Sequence, residues 1–292
     1  RSLTRKYYDL TDERSAHINK LKGDLHTVFP QYLDVFCDVT GKTSTMILRQ
    51  YGTPDKILRG HKKTMIEKIS KASRKGLAKA SERYEKLCAA ANAAKTFGCQ
   101  IDSIYFNIFL TLDLVEKLDS ALDSILNRIR QLITFNKNEK FIQQIKLLNT
   151  IPGVGFLTAV TIMCEIGDFS AFRNPKQLFA YFGLDPEVNE SGKFVGTQLH
   201  MSKRGSRIAR RAIFAVALAS IRTKRNGEGI NPYLRKYYEL KSGQKPKMVA
   251  IGAVMHKVCN IVFAVLRDEK AFELRSPEEH CKQYQRPALA AA

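Results

Sequence analysis

Leu147-Leu148-Asn149-Thr150-Ile151-Pro152-Gly153-Val154-Gly155-Phe156-Leu157-Thr158-Ala159 is the stretch on which the fold reading turns. Apolar residues with helical spacing lie on both sides of a Pro-Gly-x-Gly turn. This predicts two short helices joined by a tight bend, the pattern of a helix-hairpin-helix. Gly153 and Gly155 let the backbone turn sharply and admit a phosphate where a Cβ would obstruct it. The N–H groups opening the second helix form an anion site, helped by the helix dipole. Contacts of this kind hold a nucleic-acid backbone and read no sequence. The plain alternative is a tight helical hairpin that binds nothing.

Outward from this turn the pattern stays helical. Leu3, Tyr7, Leu10, Ile18, Leu21, Leu25 and Val28 recur at three-and-four spacing and predict an amphipathic helix ending before Pro30. Breaks follow at Gly41, Gly52-Thr53-Pro54 and Gly60. Ile108, Val115, Leu118, Leu122, Ile125, Ile129 and Leu132 form a heptad seam that must face a partner helix. That partner is either the 3–28 helix of the same chain or a second subunit. Asn174 reads as an N-cap, Pro175 as the first helical residue and Gly183 as the stop, a purely structural unit. The expected fold class is mainly α: a helical coiled-coil region over 1–140, a helical domain with the hairpin over 141–272, and a tail over 273–292.

The chain has 292 residues with 48 Lys plus Arg against 28 Asp plus Glu, a formal charge of +20. A hydrophobic fraction of 44% is enough for a core, which excludes a disordered basic tail. No uninterrupted run of 18 apolar residues and no leader pattern are present, so neither a spanning helix nor a secretory signal is expected. A charge this large points to a polyanion, nucleic acid first; ribosomal and membrane-surface proteins share the same electrostatics. The six cysteines are scattered with no Cys-x-x-Cys, so no zinc site is expected and a reduced cytosolic state is. His256, in an apolar helix, reads as a packed residue rather than a ligand.

Two basic runs stand out. Residues 59–86 hold ten cations against three acids, and Lys68, Lys71, Lys75, Lys79 and Arg83 step by three or four as if on one helical face. This is a solvated face or a phosphate-tracking stripe. From 191 to 227 there is no acid, while Lys203, Arg204, Arg207, Arg210 and Arg211 crowd the start of a helix. Cations there repel one another and oppose the helix dipole, an arrangement eased by a bound anion. Ser191, in a loop beside Gly192 and Lys193, has no base at diagnostic spacing and on spacing alone reads as a turn.

The run from Ile151-Pro152-Gly153-Val154-Gly155 through Glu165-Ile166-Gly167-Asp168, Phe172, Pro175-Lys176-Gln177-Leu178, Gly183-Leu184, Ser191-Gly192-Lys193, Gly196 and Ser202-Lys203-Arg204-Gly205 resembles the C-terminal domain of the insertion-sequence 110 family of transposases. The Piv-type DNA invertases are relatives. The match runs over about 120 residues, to near Arg267-Asp268. The resemblance implies a DNA recombinase whose serine attacks a phosphodiester and is guided by a structured RNA. By position Ser191 is that serine. Lys193, Lys203, Arg204, Arg207, Arg210 and Arg211 would hold phosphates, and Gly153, Gly155 and Thr158 would anchor a nucleic-acid backbone. The family's Mg²⁺ belongs to a RuvC-like N-terminal domain that this chain, opening at Arg1 inside a helix, is expected to lack; no metal ligand is expected within it. Without those acids it would bind nucleic acid and cut poorly. Two departures matter: Ser206 stands where relatives usually have Asn, a mild change, and the tetrad-bearing domain is expected to be missing. Further expectations are DNA as partner, a homo-oligomer through the 108–132 heptad, no membrane, and a cytoplasmic, nucleoid-associated location. The alternative is a non-catalytic helix-hairpin-helix protein that grips nucleic acid.

Overall fold

The computed structural model describes residues 1–99, 101–187, 190–191, 194–195 and 200–279. Among them the chain is almost wholly helical. The first part holds α1 (Ser2–Val28), α2 (Tyr32–Val35), α3 (Lys42–Gln50), α4 (Pro54–Arg59), α5 (Lys62–Ser73), α6 (Gly76–Phe97) and α7 (Asp102–Thr134). The second holds α8 (Glu139–Leu148), α9 (Phe156–Ile166), α10 (Pro175–Tyr181), the short strands β1 (Glu190–Ser191) and β2 (Phe194–Val195), α11 (Arg207–Ser220), α12 (Pro232–Ser242) and α13 (Lys247–Asp268). Two compact units divide the chain: Lys6–Arg128, and Arg1–Arg5 together with the chain from Ile129 onward. Both divisions fall inside long helices, α1 and α7.

In the Lys6–Arg128 unit, one core gathers Leu21, Leu25, Phe29, Tyr32, Ile47, Ile57, Leu87 and Ile108. Each fully buried side chain of this kind stabilises by about 1.5–3 kcal/mol. Helix ends follow local chemistry: α1 stops at Val28 before Pro30, and Thr53 caps α4, which opens at Pro54. The α7 seam is partly consumed inside the chain. Ile108, Val115, Leu122 and Ile129 are buried, whereas Leu118 and Ile125 are half-buried and Leu132 exposed. Arg14 of α1 pairs with Asp119 of α7, and Arg49 of α3 reaches Asp113 at 2.6 Å and Glu116 at 2.9 Å.

The basic run at 59–86 departs from the single helical face expected of it. The helix ends at Ser73, Arg74 takes a left-handed conformation (φ 55°), and α6 begins at Gly76. Lys68 and Lys71 therefore lie on α5, Lys79 and Arg83 on α6, and the two helices pack together as a hairpin. The cation spacing carries an unbroken helical period through a bend that only Gly76 signals.

The other unit is built around α13, which packs against α8, α10, α11 and α12. Its Ala250, Val254, Val258 and Val262 are fully buried at i, i+4 steps. Among the described residues α13 is the one helix long and apolar enough to cross a membrane, with 56% of its apolar stretch buried inside the protein. Lys257 interrupts the apolar run, which hides this length from a search for uninterrupted apolar residues. Packing on four neighbours makes α13 the core helix of this unit. α11 packs against both α13 and α9 and buries Ala209, Ala212, Ile213, Val216 and Ala217. His256 is half-buried, edge-on to Phe179 at 4.6 Å, and burial holds its pKa below the usual histidine value. The Cys259 thiol, also buried, is pushed up.

Candidate nucleic-acid interface

α9 and α11 form an antiparallel pair that sets the geometry of the unit. Glu165, near the end of α9, meets Ser206 at the start of α11. Gly153, just before α9, meets Ser220 at the end of α11. Fourteen residues of helix separate the two ends of α11, about 20 Å at 1.5 Å per residue. The residues singled out in the sequence therefore fall into two groups, at opposite ends of one helix.

The first group surrounds the start of α11. Asn174 caps α10 by accepting from Gln177 N at 3.0 Å, and the helix gives way to Gly183 at φ 66°. From there the chain runs out and returns at Met201. Its base is closed by a Pro186–Met201 bridge, by Ser202 Oγ donating to Asp185 at 2.6 Å, and by Lys203 N donating to Gly183 O at 3.1 Å. Gly183 and Gly205 touch backbone to backbone: a Cβ on Gly205 would sit 2.0 Å from Tyr181 O. Within the excursion Glu190 pairs with Val195 and Ser191 with Phe194 as an antiparallel ladder. Lys193, Gly192 and Gly196 lie outside the described residues.

Lys203, itself left-handed at φ 54°, and Arg204 are exposed where the excursion returns, and Arg207 is exposed in the first turn of α11. Arg210 and Arg211 are half-buried. Arg210 turns inward to donate to Phe182 O at 3.2 Å, and burial lowers its pKa. Its role is to brace the Gly183 turn from below.

Glu165 holds this end together, a role that its place in the sequence motif does not disclose. Its carboxylate is fully buried and accepts from Arg5 at 2.8 and 2.9 Å, from Arg1 at 3.3 Å and from Ser206 Oγ at 2.7 Å. The Arg5 hydrogen bonds, with those of Ser206 and Arg1, overcome desolvation and hold its pKa near about 2. Ser206 in turn accepts from Ala209 N at 3.2 Å as the N-cap of α11. Its hydroxyl thus serves as a cap at the position where relatives usually have Asn, another good capping residue. Tyr181 adds a bond from its OH to Glu165 O at 2.8 Å. The available signal was a lone acid in the otherwise uncharged Phe156–Ile166 helix, where burial demands a charge partner.

The second group lies at the other end of α11. α8 and α9 pack on each other across the 149–155 turn. Gly153 has φ 94°, and a Cβ there would approach Ser220 Oγ at 3.0 Å. Ser220 Oγ donates to Pro152 O at 3.0 Å, fixing the turn against α11. Gly155 differs from expectation: its φ is −89° and a Cβ would meet nothing within 4 Å, so the turn does not require glycine there. It is exposed at the N-cap of α9, and Thr158 is half-buried one turn on. Beyond Ser220 the chain makes a small hairpin, closed by a Thr223–Gly229 bridge and by Lys224 N donating to Glu228 O at 2.8 Å. Arg222, Lys224 and Arg225 are exposed on it.

Charge gathers on this unit: residues 203–257 hold fourteen Lys and Arg against two acids, Glu228 and Glu239. Among the described residues no group of three or more His, Cys, Asp and Glu could hold a metal ion.

Residues 145–239 match the sequence model of the Transposase IS116/IS110/IS902 family. An IS110 insertion-element protein of Streptomyces coelicolor, itself described as uncharacterized, is 24% identical over 92% of this chain and 63% of its own length. The pilin gene-inverting protein of Moraxella bovis is 30% identical over 60% of this chain and 52% of its own length. The transposase for insertion sequence element IS1111A of Coxiella burnetii is 26% identical over 62% of this chain and 50% of its own length. The chain thus spans between 50% and 63% of the length of these curated relatives.

Proposed function

We propose, because the chain belongs to the IS116/IS110/IS902 family of transposases, that it carries the strand-joining part of a DNA recombinase with Ser191 as nucleophile. The Ser191 hydroxyl loses its proton and attacks phosphorus. An O–P bond to the serine forms, the P–O bond to one DNA strand breaks, and the departing oxygen takes up a proton. The phosphoserine ester keeps the bond energy for rejoining, so no nucleotide cofactor is required. Lys203, Arg204 and Arg207 face the developing charge as charge-assisted donors. The Mg²⁺ implied by the family resemblance finds no donor cluster among the described residues.

The observation that carries this reading is the pinned base of the 186–201 excursion. The base anchors the two ends of the segment that contains Ser191 next to the start of α11, and the sequence from 191 to 227 carries no acid, which supports the reading. The Gly153–Gly155 turn, at the far end of α11, serves as a helix-hairpin-helix contact to the same nucleic acid. Its spacing of about 20 Å corresponds to roughly six base pairs of B-DNA. We extend the proposal to a structured guide RNA, to a nucleoid location and to a homo-oligomer, since exchange of two strands needs more than one serine. Leu118 and Ile125 of the heptad, half-buried in the chain, remain available for that assembly.

The test is a covalent trap on labelled DNA, with this chain in a polypeptide of the relatives' full length. Ser191→Ala should abolish the denaturant-resistant adduct and leave DNA affinity within a factor of about three, since one hydroxyl supplies little ground-state binding. An adduct that survives in Ser191→Ala overturns the nucleophile. Absence of any adduct in the unsubstituted protein, with salt-sensitive binding intact, favours the non-catalytic nucleic-acid-binding reading.

A further inference from the structure

We propose that the tip of the α5–α6 hairpin binds the phosphate backbone of duplex DNA. The tip lies in the Lys6–Arg128 unit, outside residues 145–239, and does not depend on the assignment of Ser191.

Lys71, Arg74, Lys75 and Lys79 are all exposed within the last turn of α5, the bend and the first turn of α6. Residues 68–81 contain no acid. Of the flanking acids, Glu85 pairs with Lys62 at 2.7 Å and Glu82 with Lys86 at 2.7 Å, Lys79 adding only a weaker attraction to Glu82; Glu67 is exposed one helical turn before Lys71 and forms no ion pair with it. None of the four tip cations makes an ion pair among the described residues. The cations at the base of the hairpin behave differently. Lys68 lies over the Tyr51 ring at 5.6 Å and Arg83 over the Phe36 ring at 5.6 Å. Lys62, Lys68, Arg83 and Lys86 of the hairpin's body thus have acid or ring partners, and the four tip cations have no ion-pair partner among the described residues.

Two local choices disfavour this tip in isolation. Arg74 occupies a left-handed helix-ending position at φ 55°, where glycine is the unstrained residue. Lys75 and Lys79 sit at the start of α6, where the dipole disfavours cations, with no acid in the first turn and no side-chain cap. A polyanion laid across the tip relieves the repulsion and uses the misplaced arginine. The form of that polyanion follows from what the tip lacks. Its large exposed side chain is Leu77, while Tyr84 and Phe36 are buried, so no aromatic face is offered for stacking unpaired bases. Lysine point charges on a rigid helical hairpin suit the evenly spaced phosphates of a duplex.

The experiment measures binding of the whole chain to a duplex of arbitrary sequence, about 30 base pairs long, by fluorescence anisotropy between about 50 and 200 mM salt. The tip variant combines Lys71→Ser, Arg74→Gly, Lys75→Ser and Lys79→Ser. A control of equal charge combines Lys6→Ser, Lys20→Ser, Lys22→Ser and Lys117→Ser, four exposed lysines of the same unit. The tip variant should weaken binding about tenfold or more at 100 mM. Its slope of log affinity against log salt should be shallower by about 3 to 4, at roughly 0.9 for each phosphate no longer neutralised. The control should change the slope by less than about 1, and Arg74→Gly alone by about 1, with helicity retained. An unchanged slope in the tip variant, or equal losses in tip and control, overturns the proposal. So does a loss confined to double-stranded RNA of the same length, or to vesicles rich in anionic lipid.

Discussion

The start of α11 and the tip of the α5–α6 hairpin are both cationic and acid-poor, yet they are built in opposite ways. At α11 a buried carboxylate, a capping serine and a glycine-to-backbone contact fix where the charges stand. At the tip no side chain caps α6, none of the four cations is in an ion pair among the described residues, and an arginine sits where glycine belongs. The first arrangement determines position, as the chemistry proposed at one phosphate requires. The second supplies charge, as the attachment proposed along a backbone requires. The two regions should therefore respond to mutation in opposite senses: α11 through stability and geometry, the tip through affinity and salt dependence.

The largest effect is expected at Gly205. A Cβ there would lie 2.0 Å from Tyr181 O and must displace backbone rather than a flexible side chain. Gly205→Ala should cost about 4 kcal/mol or more by urea denaturation, at the upper end for a single substitution. A cost below about 1 kcal/mol would show that the Gly183–Gly205 contact is loose and would erase the contrast with the tip.

Next is Glu165→Gln. Breaking a buried ion pair ordinarily costs about 3–5 kcal/mol, but Arg1 and Arg5 are half in solvent, with side chains 52% and 45% exposed. The expected loss is nearer about 2 kcal/mol. The pH dependence follows from the depressed pKa. Unfolded, the carboxyl titrates near its ordinary 4.5; folded, it is held near about 2. Its contribution is complete above the unfolded value and disappears as pH falls through the interval to about 2. In Glu165→Gln the unfolding free energy of this unit should vary less steeply across that interval. An identical pH profile in both proteins would mean that the carboxylate is not the clasp.

Much of the fold could be read from the sequence because it is set by neighbours in the chain. The stop before Pro30, the Thr53-Pro54 start and the Asn174-Pro175 start depend on caps and ring geometry within a few residues. The α5–α6 break is hidden for the same reason: cation spacing keeps its helical period across Arg74, and only the folded hairpin puts that residue in the left-handed region. The site is legible as a set of residues and not as an arrangement. Nothing local tells that Gly153 and the start of α11 lie at opposite ends of one helix, since this follows from α9 and α11 running antiparallel. Glu165 is hard to single out because its partners, Arg1 and Arg5, are 164 and 160 residues away. An acid read only for metal binding or catalysis leaves such a structural clasp unseen.

The smaller effects test the caps themselves. Ser206→Ala removes both the N-cap acceptor and the donor to Glu165 and should cost about 1–2 kcal/mol, whereas Ser206→Asn keeps a good cap and should stay within about 0.5 kcal/mol. The smallest effect, and the one of opposite sign, is Arg74→Gly. It relieves a left-handed non-glycine residue at a helix end, a strain of about 1–2 kcal/mol, and returns part of that gain as backbone entropy of the unfolded chain. A net increase of about 0.5–1 kcal/mol in unfolding free energy is expected, together with the weakened DNA binding predicted above. Stability rising while affinity falls is the signature of a residue kept for a ligand rather than for the fold. If Arg74→Gly instead lowers stability, the arginine is holding the bend through contacts of its own, and the tip is then a structural corner like the start of α11.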